Sequence, residues 1–309
     1  MQGRSAIISS MSGYACLFPG QGAQAPTMLA GVRHAPAFSE RYSLVCMALG
    51  DDLQQAMTEQ PEAFLHRNEV SSLLTVLVSS LSYDLWRERH GPPQWLAGYS
   101  IGQWSALYAA GAIDFATLVA IIQRRAQLMN ACTERHPGGM VGVIGLDETA
   151  VNNVLLPLRA DGYFVAISNY NCLGQYSLAV AADALQPVMQ ALQQLQPRKV
   201  LALPVSGPWH SQLLEDATSP FADYLEQILQ HLPQIPVVDN VTGQLLPEAL
   251  PALRRQLVQQ ITAPVRWQQG IETLIGLGCR NFVEIGYGNL LTKFGFFIDR
   301  SCQHTAFYA

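Results

Sequence analysis

Residues 95–107 read Trp-Leu-Ala-Gly-Tyr-Ser-Ile-Gly-Gln-Trp-Ser-Ala-Leu, and this stretch decides the fold. A short apolar run leads into Gly98-Tyr99-Ser100-Ile101-Gly102, and an Ala-rich helical segment follows to about Ala112. A serine between two glycines at a strand-to-helix turn is typical of a nucleophile, because the tight backbone accepts only small flanking residues. Its hydroxyl lies above a helix N-terminus, whose N–H groups can stabilise an oxyanion. Ser100 is the candidate nucleophile, and a purely structural turn is the alternative.

The segments around this turn predict an α/β fold with a mostly parallel sheet. Tyr14 to Phe18 form an apolar run that ends in Pro-Gly-Gln-Gly, as expected for a buried strand that feeds a turn. Helical periodicity follows at residues 70–86, and a strand and a helix are indicated at 282–285 and 290–298.

Residues 137–204 show a different order of elements. Strand-like and helix-like segments alternate as βαββαβ, at residues 140–145, 148–159, 163–168, 176–181, 185–195 and 200–203. This is the order of a ferredoxin-like unit. We therefore expect a large, discontinuous α/β domain of residues 11–136 and 205–309, a small subdomain of residues 137–204, and a cleft between them.

The composition predicts a folded cytoplasmic protein. Of 309 residues, 49% are hydrophobic and only 13% are charged, so an extensive core is expected. A net charge of −5 argues against a nucleic-acid partner. No run reaches the ~18 apolar residues of a membrane helix, and residues 1–10 lack the apolar core of a signal peptide. Met11 is a candidate natural start, which would leave residues 1–10 as a disordered leader.

The six cysteines are scattered and show no metal-type spacing. Free thiols in a reducing compartment are therefore expected, and neither a disulfide framework nor a metal site is predicted.

His210 is the candidate base for Ser100. It follows Leu-Pro-Val-Ser-Gly-Pro-Trp at residues 203–209, where a strand gives way to a loop constrained by Gly and Pro. The other six histidines lie in polar or terminal settings. The alternative is a hydrogen-bonded core histidine. No acidic residue between Ser100 and His210 stands out, so a Ser–His dyad is the simpler hypothesis.

Arg125 places a charged side chain on an apolar helix face. The neighbouring Arg124 is rotated away by about 100°. The face is formed by apolar residues three and four positions apart, namely Leu118, Ile121, Ile122, Leu128 and Met129. A buried guanidinium needs an anionic partner. That partner is either an internal carboxylate or a substrate carboxylate held by the planar fork.

Three segments together resemble the malonyl-CoA:acyl-carrier-protein transacylases, a family that includes the acyltransferase domains of polyketide synthases. They are Phe-Pro-Gly-Gln-Gly-Ala-Gln at residues 18–24, the turn at 98–102 and the segment at 204–210. The resemblance extends from residue 17 to about residue 294. Further counterparts lie at residues 100–107, 125–129, 169–175, 264–267 and 284–286.

The resemblance implies an α/β-hydrolase-like core with a ferredoxin-like insert. It implies transfer of a malonyl group, or a related carboxyacyl group, from coenzyme A to the phosphopantetheine thiol of an acyl carrier protein, with no bound metal or cofactor. It also assigns roles to individual residues: Ser100 as nucleophile, His210 as base, the backbone N–H groups of Gln21 and Ile101 as oxyanion hole, Arg125 as carboxylate ligand, and the backbone carbonyl of Gln260 as the group that orients the imidazole.

Three residues are expected to line the acyl pocket, namely Tyr99, Trp209 and Asn169. Tyr99 stands where the family usually has His, and Trp209 stands where it usually has Ser or Phe. Trp209 predicts a preference for malonyl over methylmalonyl, because its bulk would clash with an α-methyl group. Val70 lies where a pocket-lining Gln is common.

Alternative functions stay open at this point. The same serine and histidine would serve a hydrolase of acyl carrier protein thioesters, or the transacylase subunit of a malonate decarboxylase. A catalytically silent scaffold is disfavoured, because every catalytic position is filled. The sequence does not select among fatty acid synthesis, polyketide synthesis and malonate catabolism.

Overall fold

The computed structural model describes residues 13–50, 53–59 and 61–308, and the expected leader at residues 1–10 lies outside them. These described residues form two sheets with helices around them. The strands are β1 (Tyr14–Phe18), β2 (Trp95–Gly98), β3 (Gly138–Ile144), β4 (Val165–Cys172), β5 (Gln175–Ala181), β6 (Lys199–Ala202), β7 (Val237–Val238), β8 (Asn281–Ile285) and β9 (Gln303–Phe307). The α-helices are α1 (Phe38–Leu49), α2 (Leu53–Glu59), α3 (Pro61–Leu65), α4 (Asn68–His90), α5 (Gly102–Ala109), α6 (Phe115–Arg135), α7 (Glu148–Ala160), α8 (Leu185–Gln193), α9 (Thr218–Ile228), α10 (Leu250–Gln259), α11 (Trp267–Gly276) and α12 (Leu290–Ile298).

The larger sheet is parallel, with the spatial order β7-β2-β1-β8-β9. Alternate residues of β1 enter different cores, because successive side chains of a strand point to opposite faces. Cys16 and Phe18 pack with α4, α5 and α6, whereas Ala15 and Leu17 pack with α11 and α12. A strand buried on both faces reads as a continuous apolar run, which is how β1 appears in the sequence. The α/β class predicted from the sequence is confirmed.

The smaller sheet is antiparallel, with the order β4-β5-β3-β6. α7 and α8 pack on it around a separate apolar cluster that includes Val141, Leu155 and Leu178. This is the βαββαβ arrangement expected for a ferredoxin-like unit. The domain boundaries at residues 137 and 204 stay a prediction.

β4 continues four residues beyond its expected end at residue 168. Asn169, Tyr170 and Cys172 stay in the sheet because they pair with β5 across two register shifts. The loop before α11 adds a bridge, in which Val265 donates its N–H to Ser168 and accepts the N–H of Tyr170. These contacts override the weak strand propensity of Asn. They also bring the end of β4 to the edge of the parallel sheet.

Candidate active site

Ser100 lies on a strained turn between β2 and α5, which we call the elbow (residues 98–102). Its φ is +54°, in the left-handed region that residues with a Cβ rarely adopt. The flanking glycines are required by close contacts. A Cβ on Gly98 would lie 2.0 Å from the Gly102 carbonyl, and one on Gly102 would lie 2.2 Å from the Phe18 carbonyl oxygen. The elbow therefore presents Ser100 at the N-terminus of α5, as the glycine spacing predicts.

His210 contacts Ser100 directly. Its Nε2 lies 2.6 Å from the Ser100 Oγ, and its Nδ1 lies 2.7 Å from the backbone oxygen of Gln260. A carbonyl oxygen only accepts hydrogen bonds, so Nδ1 carries the proton and Nε2 is free to accept the serine proton. The sequence-predicted residues Ser100, His210 and Gln260 thus meet in one hydrogen-bonded chain.

The surroundings of His210 keep its imidazole neutral. Burial is the largest cause and the positive charge of Arg125 the second, and together they lower the pKa of His210 to about 3 against the opposing effect of the hydrogen bond to Gln260. A neutral imidazole is the form that accepts a proton from a serine hydroxyl.

Arg125 is buried at 3% exposure and has no carboxylate partner among the described residues. Its Nη2 donates to the Gln260 Oε1 at 3.4 Å, and its Nε has no hydrogen-bond partner there. Burial lowers the pKa of Arg125 to about 10, so the guanidinium stays charged at neutral pH. An internal salt bridge, the alternative considered from the sequence, is therefore wrong for the described part of the chain. Arg125 is therefore a buried cation with no anionic partner in the described residues.

Gln21 and Ile101 both lie near Ser100. Gln21 lines the same cavity as Ser100 and His210, and Ile101 begins the turn into α5. The side chain of Gln21 is anchored to the start of α4, where its Nε2 lies 2.7 Å from Ser71 Oγ and 2.9 Å from Asn68 Oδ1. Within the described residues, neither backbone N–H donates to a protein acceptor.

The cavity in front of Ser100 has a volume of about 70 Å³. Tyr99, Trp209 and Asn169 all line it, as expected. The Tyr99 hydroxyl donates to the Asn171 Oδ1 at 2.6 Å, and Trp209 is 5% exposed. The small sheet contributes Met140, Asn169 and Ser177 to the walls, and the elbow that follows β2 of the parallel sheet contributes further lining residues. Val70 is buried and does not line this cavity.

Two site residues were assigned no role by the sequence-based prediction. Gln103 and Asn240 are buried behind Ser100 and form an amide network with the side chain of Gln260. The Asn240 Oδ1 accepts the backbone N–H of Ser100 at 2.9 Å. The one sequence signal was the position of Asp239-Asn240 directly after β7, where parallel strands of such sheets deliver functional groups.

Three further features bear on the kind of site. No three His, Cys, Asp or Glu side chains of the described residues converge as metal ligands would. All six cysteines are free, and five of them are buried. None of the helices in residues 13–50, 53–59 and 61–308 combines the length and the hydropathy that a membrane span needs.

Comparison with known proteins identifies a matching family and relatives of this chain. The acyl transferase domain family matches residues 16–295. The chain is 36% identical over 287 residues to the polyketide biosynthesis protein ThaF of Burkholderia thailandensis, and this covers 93% of the chain but only 24% of that longer protein. It is 32% identical to the malonyl CoA-acyl carrier protein transacylase of Escherichia coli K12, over 91% of each chain.

A solved structure agrees with the same assignment. The complex of a type II PKS acyl carrier protein with its malonyl-transacylase, PlMCAT:AntF, superposes with a TM-score of 0.86 at 32% identity, covering 96% of this chain and 94% of that one. The fold class and the family resemblance inferred from the motifs are thereby confirmed. With a family match that spans nearly its whole length, the chain belongs to the acyl transferase domain family, among whose members are the malonyl-CoA:acyl-carrier-protein transacylases.

Proposed function

We propose that this chain transfers a malonyl group from coenzyme A to the phosphopantetheine thiol of an acyl carrier protein, through an ester on Ser100. The observation that carries the proposal is the buried guanidinium of Arg125, which has no carboxylate partner in the described residues and contacts Gln260, the residue that binds His210. A buried charge without a partner is costly, so the site favours a ligand that brings a carboxylate. The malonyl-transacylases among its relatives support the same substrate.

The first half-reaction forms the ester. The Ser100 hydroxyl attacks the thioester carbonyl while the His210 Nε2 takes its proton. The N–H groups of Gln21 and Ile101 are assigned to the oxyanion, because neither has an acceptor in the described part of the chain and both residues lie near Ser100. The carbon–sulfur bond then breaks, and the imidazolium protonates the departing coenzyme A thiolate.

The second half-reaction reverses these steps with a new thiol. The phosphopantetheine thiol gives its proton to His210 and attacks the Ser100 ester, and the serine oxygen leaves and takes the proton back. The Gln260 carbonyl holds the imidazole in the same orientation for both halves. His210 mediates every proton transfer in this scheme, which therefore uses no cofactor.

Arg125 and the cavity walls select the acyl group. We assign the malonyl carboxylate to Arg125, whose planar fork suits bidentate binding. Trp209 is assigned to the wall that disfavours an α-methyl group, because it lies in the same small cavity as Ser100. One methyl group changes selectivity by only about 1–3 kcal/mol, so methylmalonyl is expected to be a slower substrate rather than an excluded one.

Two wider assignments belong to the proposal. A cytoplasmic location is supported by the six free thiols, which are typical of a reducing compartment. Residues 137–204 are proposed as a separate folding unit, because the small sheet has its own apolar core.

The mass of the intact protein after incubation with malonyl-CoA tests the covalent step. We expect one added malonyl group, located on Ser100 by peptide mapping, and none on Ser100→Ala. Addition of a holo acyl carrier protein should then remove the label from the enzyme and place it on the carrier. A label on another residue would contradict the mechanism, and release of free malonate in place of transfer would favour the hydrolase alternative.

A further inference from the structure

The pairing between β2 and β7 ends at Ala97, immediately before the elbow. Leu96 pairs with Val237 and Ala97 pairs with Val238, in parallel. The same register continued would set Tyr99 opposite Asn240. In a parallel ladder, the residue opposite Tyr99 donates its N–H to the carbonyl of Gly98 and accepts the N–H of Ser100.

The side chain of Asn240 makes both of these hydrogen bonds. Its Nδ2 donates to the Gly98 oxygen at 2.6 Å, and its Oδ1 accepts the Ser100 N–H at 2.9 Å. Its backbone is engaged elsewhere, because its N–H donates to Gln103 Oε1 and its carbonyl accepts from Arg266. A side-chain amide therefore takes the place of a peptide group in the next rung of the sheet.

The same amide also contacts the residue that orients the base. The Asn240 Oδ1 lies 3.1 Å from the Gln260 Nε2, which in turn lies 2.9 Å from the carbonyl oxygen of Ser100. The backbone carbonyl of Gln260 holds His210. Asn240 is 3% exposed, so bulk water does not replace these hydrogen bonds. One buried side chain thus links the nucleophile turn to the support of the imidazole.

We propose that Asn240 is a positioning residue that holds the Ser100 elbow in its strained conformation and in register with His210. A residue held at a φ of +54° persists only when its surroundings fix it. The two rung hydrogen bonds fix both sides of Tyr99, and the contact with Gln260 aligns the second member of the dyad. This inference rests on the proposed role of Ser100 as nucleophile.

Asn240→Ala in the full chain tests the role, with two readouts on Ser100. One is the rate of malonyl ester formation with malonyl-CoA, and the other is the rate of sulfonylation by phenylmethylsulfonyl fluoride. We expect both rates to fall by about ten- to a hundredfold, as for a misplaced reacting group. The KM for malonyl-CoA should change little, because Asn240 contacts neither Arg125 nor the cavity.

Two further variants separate positioning from general loss of stability. Gln123→Ala also removes a side-chain amide bonded to a backbone carbonyl, that of Ala48 at 2.6 Å, but outside the site. It should keep both rates within about twofold of wild type, since it displaces no reacting group. Asn240→Asp keeps an acceptor for Ser100 but sets an oxygen against the Gly98 carbonyl in place of the donor, so its rates should also fall below those of wild type.

The outcomes distinguish this inference from the proposed function. Sulfonylation of wild-type Ser100 without malonyl transfer would contradict the substrate assignment and still allow Asn240 to be tested by sulfonylation. Rates for a folded Asn240→Ala within about twofold of wild type would overturn the positioning role. An equal loss in Gln123→Ala would also overturn it. Should Asn240→Ala not fold, wild-type rates in Asn240→Asp would overturn it instead.

Discussion

At the scale of single residues, backbone strain marks the reacting pair. Among the described residues, Ser100, Gln196 and His210 are the non-glycine residues with positive φ, and two of these three meet at 2.6 Å. Strained residues cluster at functional sites, where the surrounding structure holds them in place. His210 has a positive φ like Ser100, although it is not flanked by the glycines that mark Ser100 in the sequence. The strain therefore supports the dyad independently of the sequence motif.

Arg125→Ala should change the choice of acyl group more than overall activity. The variant loses a charge-assisted contact to the malonyl carboxylate worth about 1.5–3 kcal/mol, which corresponds to roughly ten- to a hundredfold. Acetyl transfer should hold steady or improve, because acetyl leaves the wild-type guanidinium unpaired. The measurement is the ratio of kcat/KM for malonyl-CoA to that for acetyl-CoA. Arg124→Ala, one position along the same helix and only half-buried, is the matched control.

An unchanged ratio in a folded Arg125→Ala would remove the main reason for naming malonyl as the substrate. A structural role for Arg125 would instead lower both activities together and reduce the thermal unfolding midpoint.

The charge of Arg125 also predicts a pH effect on His210. Burial is the larger cause of the lowered His210 pKa, and the Arg125 charge adds to it. Removing the positive charge favours the imidazolium, so Arg125→Ala should raise the pKa of His210. In Arg125→Ala, His210 should therefore become protonated, and stop acting as the base for Ser100, at a higher pH than in wild type. The check is the pH profile of Ser100 sulfonylation, whose acid limb should move to higher pH in Arg125→Ala and stay in place in Arg124→Ala.

The candidate site was predictable wherever the cause is local. Helical periodicity alone located Arg125 on a buried face, and glycine spacing alone located Ser100. Asn240 was missed because its contact with Ser100 joins residues 140 positions apart, and its position after a two-residue strand does not by itself indicate that contact. The Gln260 carbonyl was reached only through the family resemblance, because any residue has a carbonyl.

At the scale of elements, the N-terminal cap of α6 stabilises the helix that positions Arg125 three turns further on. Asp114 caps the helix by accepting the Thr117 N–H at 2.7 Å, and the helix then carries Arg125 to the side chain of Gln260. Strong periodicity makes such a helix predictable. β9 was not predicted, since its exposed Gln-His-Thr-Ala-Phe sequence becomes a strand only by pairing with β8.

Asp114→Ala should destabilise the protein by about 1 kcal/mol at neutral pH and leave the malonyl-to-acetyl ratio unchanged. The hydrogen bonds from Thr117 lower the pKa of Asp114. A lowered carboxyl pKa means that the stabilisation is present above the usual Asp range and is lost as the pH falls through the lowered value. Urea unfolding at several pH values is the measurement. A difference between the variant and wild type that persists undiminished in acid would contradict the capping role.

At the scale of the whole molecule, the cavity lies between two separately cored sheets. Ser100, His210 and Gln260 all belong to the part that contains the parallel sheet, whereas Met140, Asn169 and Ser177 belong to the small sheet. The catalytic residues and part of the cavity wall are therefore held by different sheets. If residues 137–204 are a separate folding unit, damage to its core should affect the walls and spare the dyad.

Leu178→Ala tests this division, because Leu178 is fully buried in the core of the small sheet. The change should cost about 2–5 kcal/mol, enough to open the unit locally. We expect faster amide hydrogen exchange confined to β3–β6, α7 and α8, with malonyl transfer reduced and Ser100 sulfonylation largely retained. Leu81→Ala, equally buried on α4 in the core beside the parallel sheet, should show the reverse distribution of exchange. Exchange that rises equally in both sheets for both variants would mean that the chain unfolds as one unit, and the boundaries at 137 and 204 would then carry no energetic meaning.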